Sequence, residues 1–178
     1  MRCFIALPLP DSDIAVLEAL QNRLPFGRHV PAENLHLTLA FLDEQPMETL
    51  EEIHETLESL RATRFSLTLN GLDGYGGQSL AINAEGGPAL LELHKRIRSR
   101  LHGIGLQLDR RRFRPHVTLA QLPAQTNSDQ QDRLAKFLLR ESSLKMTDIP
   151  IHSFALYSSR PHITGAEHDE LCRYPLTH

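Results

Sequence analysis

Two stretches of this sequence repeat a pattern of side chains that could carry out acid-base chemistry. Segment 36–42, HLTLAFL, returns as segment 116–122, HVTLAQL, with His, Thr, Leu, Ala and Leu in matching places. In a strand, alternate side chains share a face, so we expect the His, Thr and Ala of each copy on one face and the Leu side chains on the opposite, core-facing side. Packing alone gives no reason for a polar pair in both copies, which favours a functional role.

Two imidazoles and two hydroxyls around one reacting atom would suit in-line displacement at phosphorus. We expect His36 and His116 to meet across a shared groove, where one takes a proton from the nucleophile and the other protonates the leaving oxygen. An imidazole pKa near neutrality allows one ring to be neutral while the other is protonated. The hydroxyls of Thr38 and Thr118 would bind the non-bridging oxygens. This chemistry requires no metal, and the near symmetry of the copies leaves open which histidine is the acid.

The elements that must position these residues alternate between strand and helix. Apolar spacing predicts strands over 2–7, 35–42, 116–122 and 151–158, and helices over 11–24, 47–60, 88–101 and 129–139. Alternation in 65–69 and 80–82 predicts an antiparallel pair around a glycine-rich turn over 71–77. The fold class is therefore α+β. No linker or low-complexity segment divides the chain, so we expect residues 1–178 to form a single two-lobed domain.

Composition limits the classes of protein and partner. The 178 residues contain no bilayer-length apolar run, and the first apolar stretch is too short for a signal peptide, so we expect no membrane contact. Cys3 and Cys172 are too few for a disulfide scaffold, which fits a cytoplasmic protein. A net charge of -3 argues against coating nucleic acid, so any RNA contact must be local. One local basic cluster exists, formed by Arg110, Arg111, Arg112 and Arg114.

Together the motifs resemble those of the two-histidine phosphoesterases and, among them, the RNA 2′,3′-cyclic phosphodiesterase family, also called the 2′-5′ RNA ligase or LigT-like family. The resemblance covers almost the whole chain, through segments 2–10, 31–42, 112–119 and 154–159. It implies a bilobal, pseudo-symmetric α+β fold in which two antiparallel sheets face a central groove and the helices lie outside.

The resemblance also implies a reaction. RNA 2′,3′-cyclic phosphate ends are expected to be hydrolysed to 2′-phosphates without a metal or other cofactor, with His36 as proton donor to the leaving 3′ oxygen and His116 as the base that activates water. Some relatives join RNA halves through a 2′-5′ bond, which is the reverse reaction. The expected partners are RNA with cyclic phosphate ends, including tRNA halves, and small nucleotides. We expect the protein to act as a monomer.

Several positions depart from the family pattern. Gln121 stands where the family commonly has Arg, and Arg114, which alternates in register with His116, is our candidate substitute for substrate binding. Strand alternation predicts Phe41 to lie in the core and leaves Tyr75 and Tyr157 as candidates for base stacking. We expect His54 and His94 to pack on the buried faces of their helices. His168 stands where the family usually has an aromatic residue.

Two alternatives remain open at the level of sequence. A nucleotide or RNA-end binding module without turnover would use the same groove, although such a module would not need an acid-base pair. Two histidines and a carboxylate could also hold a zinc ion with an open position, but no HExxH or paired-cysteine pattern supports that site.

Overall fold

A curved antiparallel sheet carries both copies of the repeat. The computed structural model describes residues 1–75 and 77–178. Its strands are β1 (Arg2–Pro8), β2 (Arg28–His29), β3 (His36–Glu44), β4 (Phe65–Tyr75), β5 (Ser79–Glu85), β6 (His116–Gln121), β7 (Lys145–Ile151), β8 (Ser153–His162) and β9 (Gly165–Pro175). Its helices are α1 (Asp11–Asn22), α2 (Met47–Glu58), α3 (Gly87–Gly103) and α4 (Ser128–Arg140), and a 3-10 turn (Ala32–Asn34) precedes β3.

The sheet consists of two four-stranded halves. Its strand order is β7-β4-β5-β6-β3-β1-β8-β9, and the short β2 also pairs with β6. Strands β3 and β6 join the halves through one backbone pair in the described residues, Leu37 with Val117. The predicted α+β class is confirmed, and the two predicted antiparallel sheets are the two halves of this larger sheet.

Each half contains one copy of the same supersecondary unit. In the first, α1 connects β1 to its antiparallel neighbour β3, and in the second, α3 connects β5 to its antiparallel neighbour β6. The sequence repeat therefore corresponds to a structural repeat. Because β3 and β6 are the innermost strands of their halves, both motif copies lie at the centre of the sheet.

The helices bury the apolar stripes that their spacing predicts. Leu50, Ile53 and Leu57 of α2 lie in the main hydrophobic core, as do the four buried residues of α3, namely Leu90, Leu93, Ile97 and Leu101. Full burial of a leucine contributes about 1.5–3 kcal/mol, so these contacts stabilise the helices strongly against the sheet. The buried Gln21 of α1 donates to the carbonyls of Val30 and Leu119, each at 2.8 Å, and so ties α1 to the strand of the second motif.

Of the three strands that sequence patterns did not predict, β7 and β9 lie at the edges of the sheet, and the two-residue β2 pairs with β6. Strand β7 contains Pro150 and a left-handed Asp148 (φ 57°), both of which weaken a strand pattern and are tolerated at an edge. Strand β9 carries many charged residues because it, too, is an edge strand. The predicted turn over 71–77 was wrong in extent, since β4 continues to Tyr75; position 76 lies outside the described residues.

Candidate active site

The four residues of the repeated motif line one cleft of about 880 Å³. His36, Thr38, His116 and Thr118 are all half-buried at this surface. They flank the Leu37–Val117 pair, and the antiparallel direction of β3 and β6 places His36 opposite Thr118 and Thr38 opposite His116. The structure thus brings the predicted imidazoles and hydroxyls together in a pseudo-symmetric arrangement.

A β-bulge occurs at the same place in both motif copies. In β3, Thr38 pairs with Ala6 but Ala40 pairs with Ile5, so Leu39 is the extra residue; in β6 the register shifts correspondingly at Leu119. The bulge reverses the alternation beyond it. The prediction that Ala40 and Ala120 share the histidine face was therefore wrong, because Ala40 lies on the core side with Ile5, and Ala120 is fully buried.

The bulge also corrects the predicted place of Phe41. This residue pairs with Phe4, lines the cleft and is 61% exposed, so the prediction that it lies in the core was wrong. Its counterpart in the second copy, Gln121, also lines the cleft. A bulge has no clear signal in the sequence, although the hydrophobic run of Leu39, Ala40 and Phe41 breaks the polar alternation that a regular strand on a cleft would show.

His36 lies in an aromatic environment. Its ring stacks at 4.9 Å on Phe4, lies 5.9 Å from Tyr157 and is 5.4 Å from the ring of His168. Burial against these rings and, to a smaller extent, the neighbouring His168 lower the pKa of His36 to about 3, even though a hydrogen bond to the backbone of Asn34 acts in the opposite direction. The imidazole of His36 is therefore neutral at neutral pH when the cleft holds no anion.

His116 is held from two sides. Its Nδ1 lies 2.7 Å from the carbonyl oxygen of Arg114, and since a carbonyl only accepts, Nδ1 carries the proton in the neutral ring. The Tyr75 ring stacks on His116 at 3.8 Å and 19°. The Tyr75 hydroxyl donates to Oδ1 of Asn83, which is the cross-strand partner of His116. Nε2 of the neutral imidazole is then the free acceptor that a general base requires.

Arg114 lines the cleft next to His116, although it precedes β6 and is therefore not in strand register with His116. Its guanidinium lies 4.7 Å from the centre of the Tyr75 ring and 3.6 Å from a carboxylate oxygen of Asp73. Another arginine that lines the cleft, Arg28, comes from β2 and is the cross-strand partner of Gln121. Sequence reasoning missed Arg28 because the two-residue strand β2 follows a turn and carries no periodic pattern.

Two further polar residues border His36. Nδ2 of the buried Asn34 donates to the carbonyl of Ala166 at 2.8 Å, which ties the turn before β3 to strand β9. Oδ1 of Asn34 and Nδ1 of His168 are buried without a hydrogen-bond partner among the described residues. The sequence indicated that His168 stands where the family usually has an aromatic residue. It could not predict that His168 lies beside His36, because β9 is far from β3 along the chain.

The histidines expected to pack on helices do so. Nδ1 of His54 lies 3.1 Å from the Tyr174 hydroxyl, and the ring of His94 stacks on Phe113 at 3.8 Å. His94 also lines the cleft. Within residues 1–75 and 77–178, no group of three or more His, Cys, Asp or Glu side chains is arranged to hold a metal ion.

Comparison with known proteins identifies the family. The sequence model of the 2′-5′ RNA ligase superfamily matches residues 9–162. This chain belongs to the 2′-5′ RNA ligase superfamily. Similar proteins include the RNA 2′,3′-cyclic phosphodiesterase of Thermotoga maritima, which is 28% identical over 93% of this chain and 90% of its own length. Another is the Geobacillus stearothermophilus protein of the same name, which is 32% identical over 66% of this chain.

The aligned region makes up 40% of the Geobacillus protein's length, so this chain corresponds to less than half of that protein. Escherichia coli LigT in complex with 3′-AMP has a similar structure, with a TM-score of 0.78 and 25% identity, and the match covers 99% of this chain and 98% of LigT. None of the helices in the described residues is long and apolar enough to span a membrane.

Proposed function

We propose that this superfamily member hydrolyses RNA 2′,3′-cyclic phosphate ends to 2′-phosphates. The observation that carries the proposal is the pair of half-buried imidazoles and half-buried hydroxyls, contributed by His36, Thr38, His116 and Thr118 on both sides of one cleft. The names of the T. maritima and G. stearothermophilus relatives support the cyclic phosphate as substrate. The 3′-AMP bound to E. coli LigT supports a nucleotide in a cleft of this fold.

In the proposed reaction, His116 takes a proton from water through Nε2 as the water oxygen attacks phosphorus. The bond between phosphorus and O3′ breaks, and His36 donates a proton to O3′, which leaves a 2′-phosphate and a free 3′ hydroxyl. Thr38 and Thr118 donate to the non-bridging oxygens, where negative charge increases in the transition state. Proton exchange with solvent then removes the proton from His116 and restores the one on His36, so the net reaction adds one water molecule to the cyclic ester.

The proposed role of His36 requires a proton that the free site does not hold at neutral pH. Burial among aromatic rings keeps the ring neutral, but a phosphate anion within a few ångströms favours the imidazolium. We therefore expect His36 to take up a proton together with the substrate. Exchange of the two roles, with His36 as base, would remove this requirement and is a measurable alternative.

Arg114 and Phe41 complete the proposed substrate site. Arg114 would contact a phosphate oxygen beside His116, in place of the arginine that the family resemblance implies at the position of Gln121. The exposed face of Phe41 offers a stacking surface for the terminal base, because its ring lies on the cleft side above Phe4. Ligation through a 2′-5′ bond would use the same site, with a ribose hydroxyl of a second RNA end replacing water.

We extend the proposal to the domain organisation, oligomeric state, compartment and RNA substrates of the enzyme. We expect residues 1–178 to work as one two-lobed domain, as a monomer in the cytoplasm, with tRNA halves among its substrates. Both cysteines are unpaired, as in a reducing compartment. Light scattering of the purified protein tests the oligomeric state.

The deciding experiment follows an oligonucleotide with a 2′,3′-cyclic phosphate end in excess EDTA. Wild type should form only the 2′-phosphate, His36→Ala and His116→Ala should lose at least a hundredfold in rate, and His152→Ala, at an exposed histidine outside the cleft, should match wild type. Binding of the oligonucleotide without turnover would instead identify a binding module. Turnover that EDTA abolishes would identify a metal enzyme, and a joined product with added 5′-hydroxyl RNA would identify ligation.

A further inference from the structure

The cleft extends well beyond the four motif residues. Its lining also includes His94 and Arg98 of α3, together with Asp109 and residues 111–113 of the segment that leads into β6. We call the cleft-lining residues His94, Arg98, Arg111, Arg112 and Phe113 the arginine arm. The whole cleft, at about 880 Å³, lies near the upper end of the roughly 300–1,000 Å³ typical of ligand sites.

The arginine arm has an aromatic surface. The rings of His94 and Phe113 are stacked at 3.8 Å with an angle of 4°, and both side chains are half-buried in the wall of the cleft. Burial lowers the pKa of His94 to about 4, and the nearby Arg98 contributes to the drop. The pair is therefore an uncharged stacked surface, which suits contact with a nucleobase of any type.

The arm also carries positive charge that the protein does not neutralise. Its acidic neighbour Asp109 forms a 2.5 Å ion pair with Arg111. Arg98 donates to the backbone carbonyl of Asp109 rather than to a carboxylate. Arg112 makes no ion pair with a carboxylate among the described residues and lines the cleft with an exposed side chain. Arg98 and Arg112 thus place two positive charges next to the stacked rings. This combination suits a nucleobase and a phosphate group.

We propose that the arginine arm binds the nucleotide on the 5′ side of the terminal one. This inference rests on the proposed function, because a strand whose 3′ end occupies the motif site must leave it through the 5′ oxygen of the terminal ribose. Phe113 lies three residues before His116, a span of at most about 11 Å, which keeps the arm within reach of the adjoining nucleotide. The preferred substrate class is then an oligonucleotide, and a mononucleoside cyclic phosphate fills only part of the cleft.

A binding experiment tests this subsite independently of catalysis. Calorimetry should compare 3′-AMP with the dinucleotide ApAp, which has a further base and an internal phosphate but no cyclic group. Wild type should bind ApAp about tenfold more tightly than 3′-AMP, since stacking and one phosphate contact each add affinity. In Arg112→Ala and His94→Ala the ratio of the two dissociation constants should fall toward one.

Matched variants separate the subsite from a general effect of charge or folding. Arg112→Lys and His94→Phe should keep most of the preference, because they retain the charge or the stacked ring, and Arg133→Ala, at an exposed helix arginine outside the cleft, should keep the wild-type ratio. The slope of log Kd for ApAp against log salt should decrease by about 0.7 in Arg112→Ala. Equal affinity of wild type for both nucleotides, or an unchanged ratio in Arg112→Ala, would overturn the subsite. A dinucleotide preference in a protein that hydrolyses no cyclic phosphate would support the subsite and refute the proposed function.

Discussion

The ring of Tyr75 lies 3.8 Å from the ring of His116 and is inclined to it by 19°, while the Tyr75 hydroxyl is anchored on Asn83. This contact fixes the plane of the proposed base. An aromatic pair contributes about 0.5–1.5 kcal/mol, so Tyr75→Ala should lower kcat by up to roughly tenfold with little change in KM. Tyr75→Phe, which keeps the ring, should retain most of the activity. Steady-state kinetics on the cyclic oligonucleotide measures both variants, and an unchanged kcat in Tyr75→Ala would exclude this positioning role.

Phe41 should contribute to substrate affinity rather than to stability. Its side chain is exposed in the cleft, so Phe41→Ala should change the free energy of unfolding by less than about 0.5 kcal/mol. Loss of a base-stacking surface should raise KM by about tenfold. The matched control is Leu139→Ala, which removes an exposed apolar side chain outside the cleft. Equal KM values for wild type and Phe41→Ala would show that the base stacks elsewhere.

His36 should remain neutral in the free protein across the neutral pH range. Its pKa is lowered from 6.5 to about 3, so its ring NMR signals should not titrate between pH 5 and 8. Addition of 3′-AMP should raise that pKa because the phosphate favours the imidazolium. If His36 stays neutral in the complex while His116 becomes protonated, then the acid and base roles are exchanged.

The lowered pKa of His36 also makes stability depend on pH. The unfolded chain binds a proton at His36 below about pH 6.5, whereas the folded chain does so only near pH 3. The contribution of this group is therefore fully present above pH 6.5 and is lost as the pH falls toward 3. Urea titrations between pH 7 and pH 4 should show a shallower loss of stability for His36→Gln than for wild type. Parallel curves would contradict the burial of a neutral imidazole.

Arg114 should contribute to binding of the reacting phosphate. Hydrogen bonds to charged groups contribute about 1.5–3 kcal/mol, and because Arg114 is 57% exposed, we expect the lower end of that range, which is about a tenfold rise in KM for Arg114→Ala. Asp73→Asn removes the carboxylate that competes for the guanidinium and should leave KM equal or lower. A change in kcat alone would indicate that Arg114 acts only by orienting Tyr75 and His116.

Gly86 should be essential for packing of α3 against the sheet. A Cβ at this position would lie 2.6 Å from Cβ of Leu90 and 3.0 Å from a methyl carbon of the buried Leu67. Gly86→Ala should therefore lower the free energy of unfolding by about 1–3 kcal/mol. Gly74→Ala is the control, since an added Cβ there meets nothing within 4 Å. Denaturant unfolding of both variants gives the comparison, and equal stability would contradict the close approach of Gly86 to Leu90.

The parts of the site that sequence predicted are those that lie within a repeat. Helical spacing and the paired motifs placed the core, the central strands and the cluster of His36, Thr38, His116 and Thr118. Strand alternation then failed at Phe41, because a bulge depends on cross-strand pairing and not on local side-chain pattern.

The other omissions have a similar physical origin. Glycines at 71, 74 and 77 indicate a turn, yet β4 continues through two of them and brings Tyr75 against His116. His168 and Arg28 reach the cleft from an edge strand and from a two-residue strand, whose sequences lack the periodicity that a longer, half-buried element shows. Such contributions are set by tertiary packing.

In the described residues, the two halves of the sheet meet at a single backbone pair between β3 and β6, Leu37 with Val117. Both histidines are adjacent to it in sequence, whereas the outer strands β7 and β9 lie at the far ends of the two halves. If one half of the sheet rotated about this pair, residues far from the pair would move much further than residues next to it. A rotation of one half against the other would therefore displace the edge strands more than His36 and His116, so the two histidines occupy the part of the sheet where such a rotation would have the least effect.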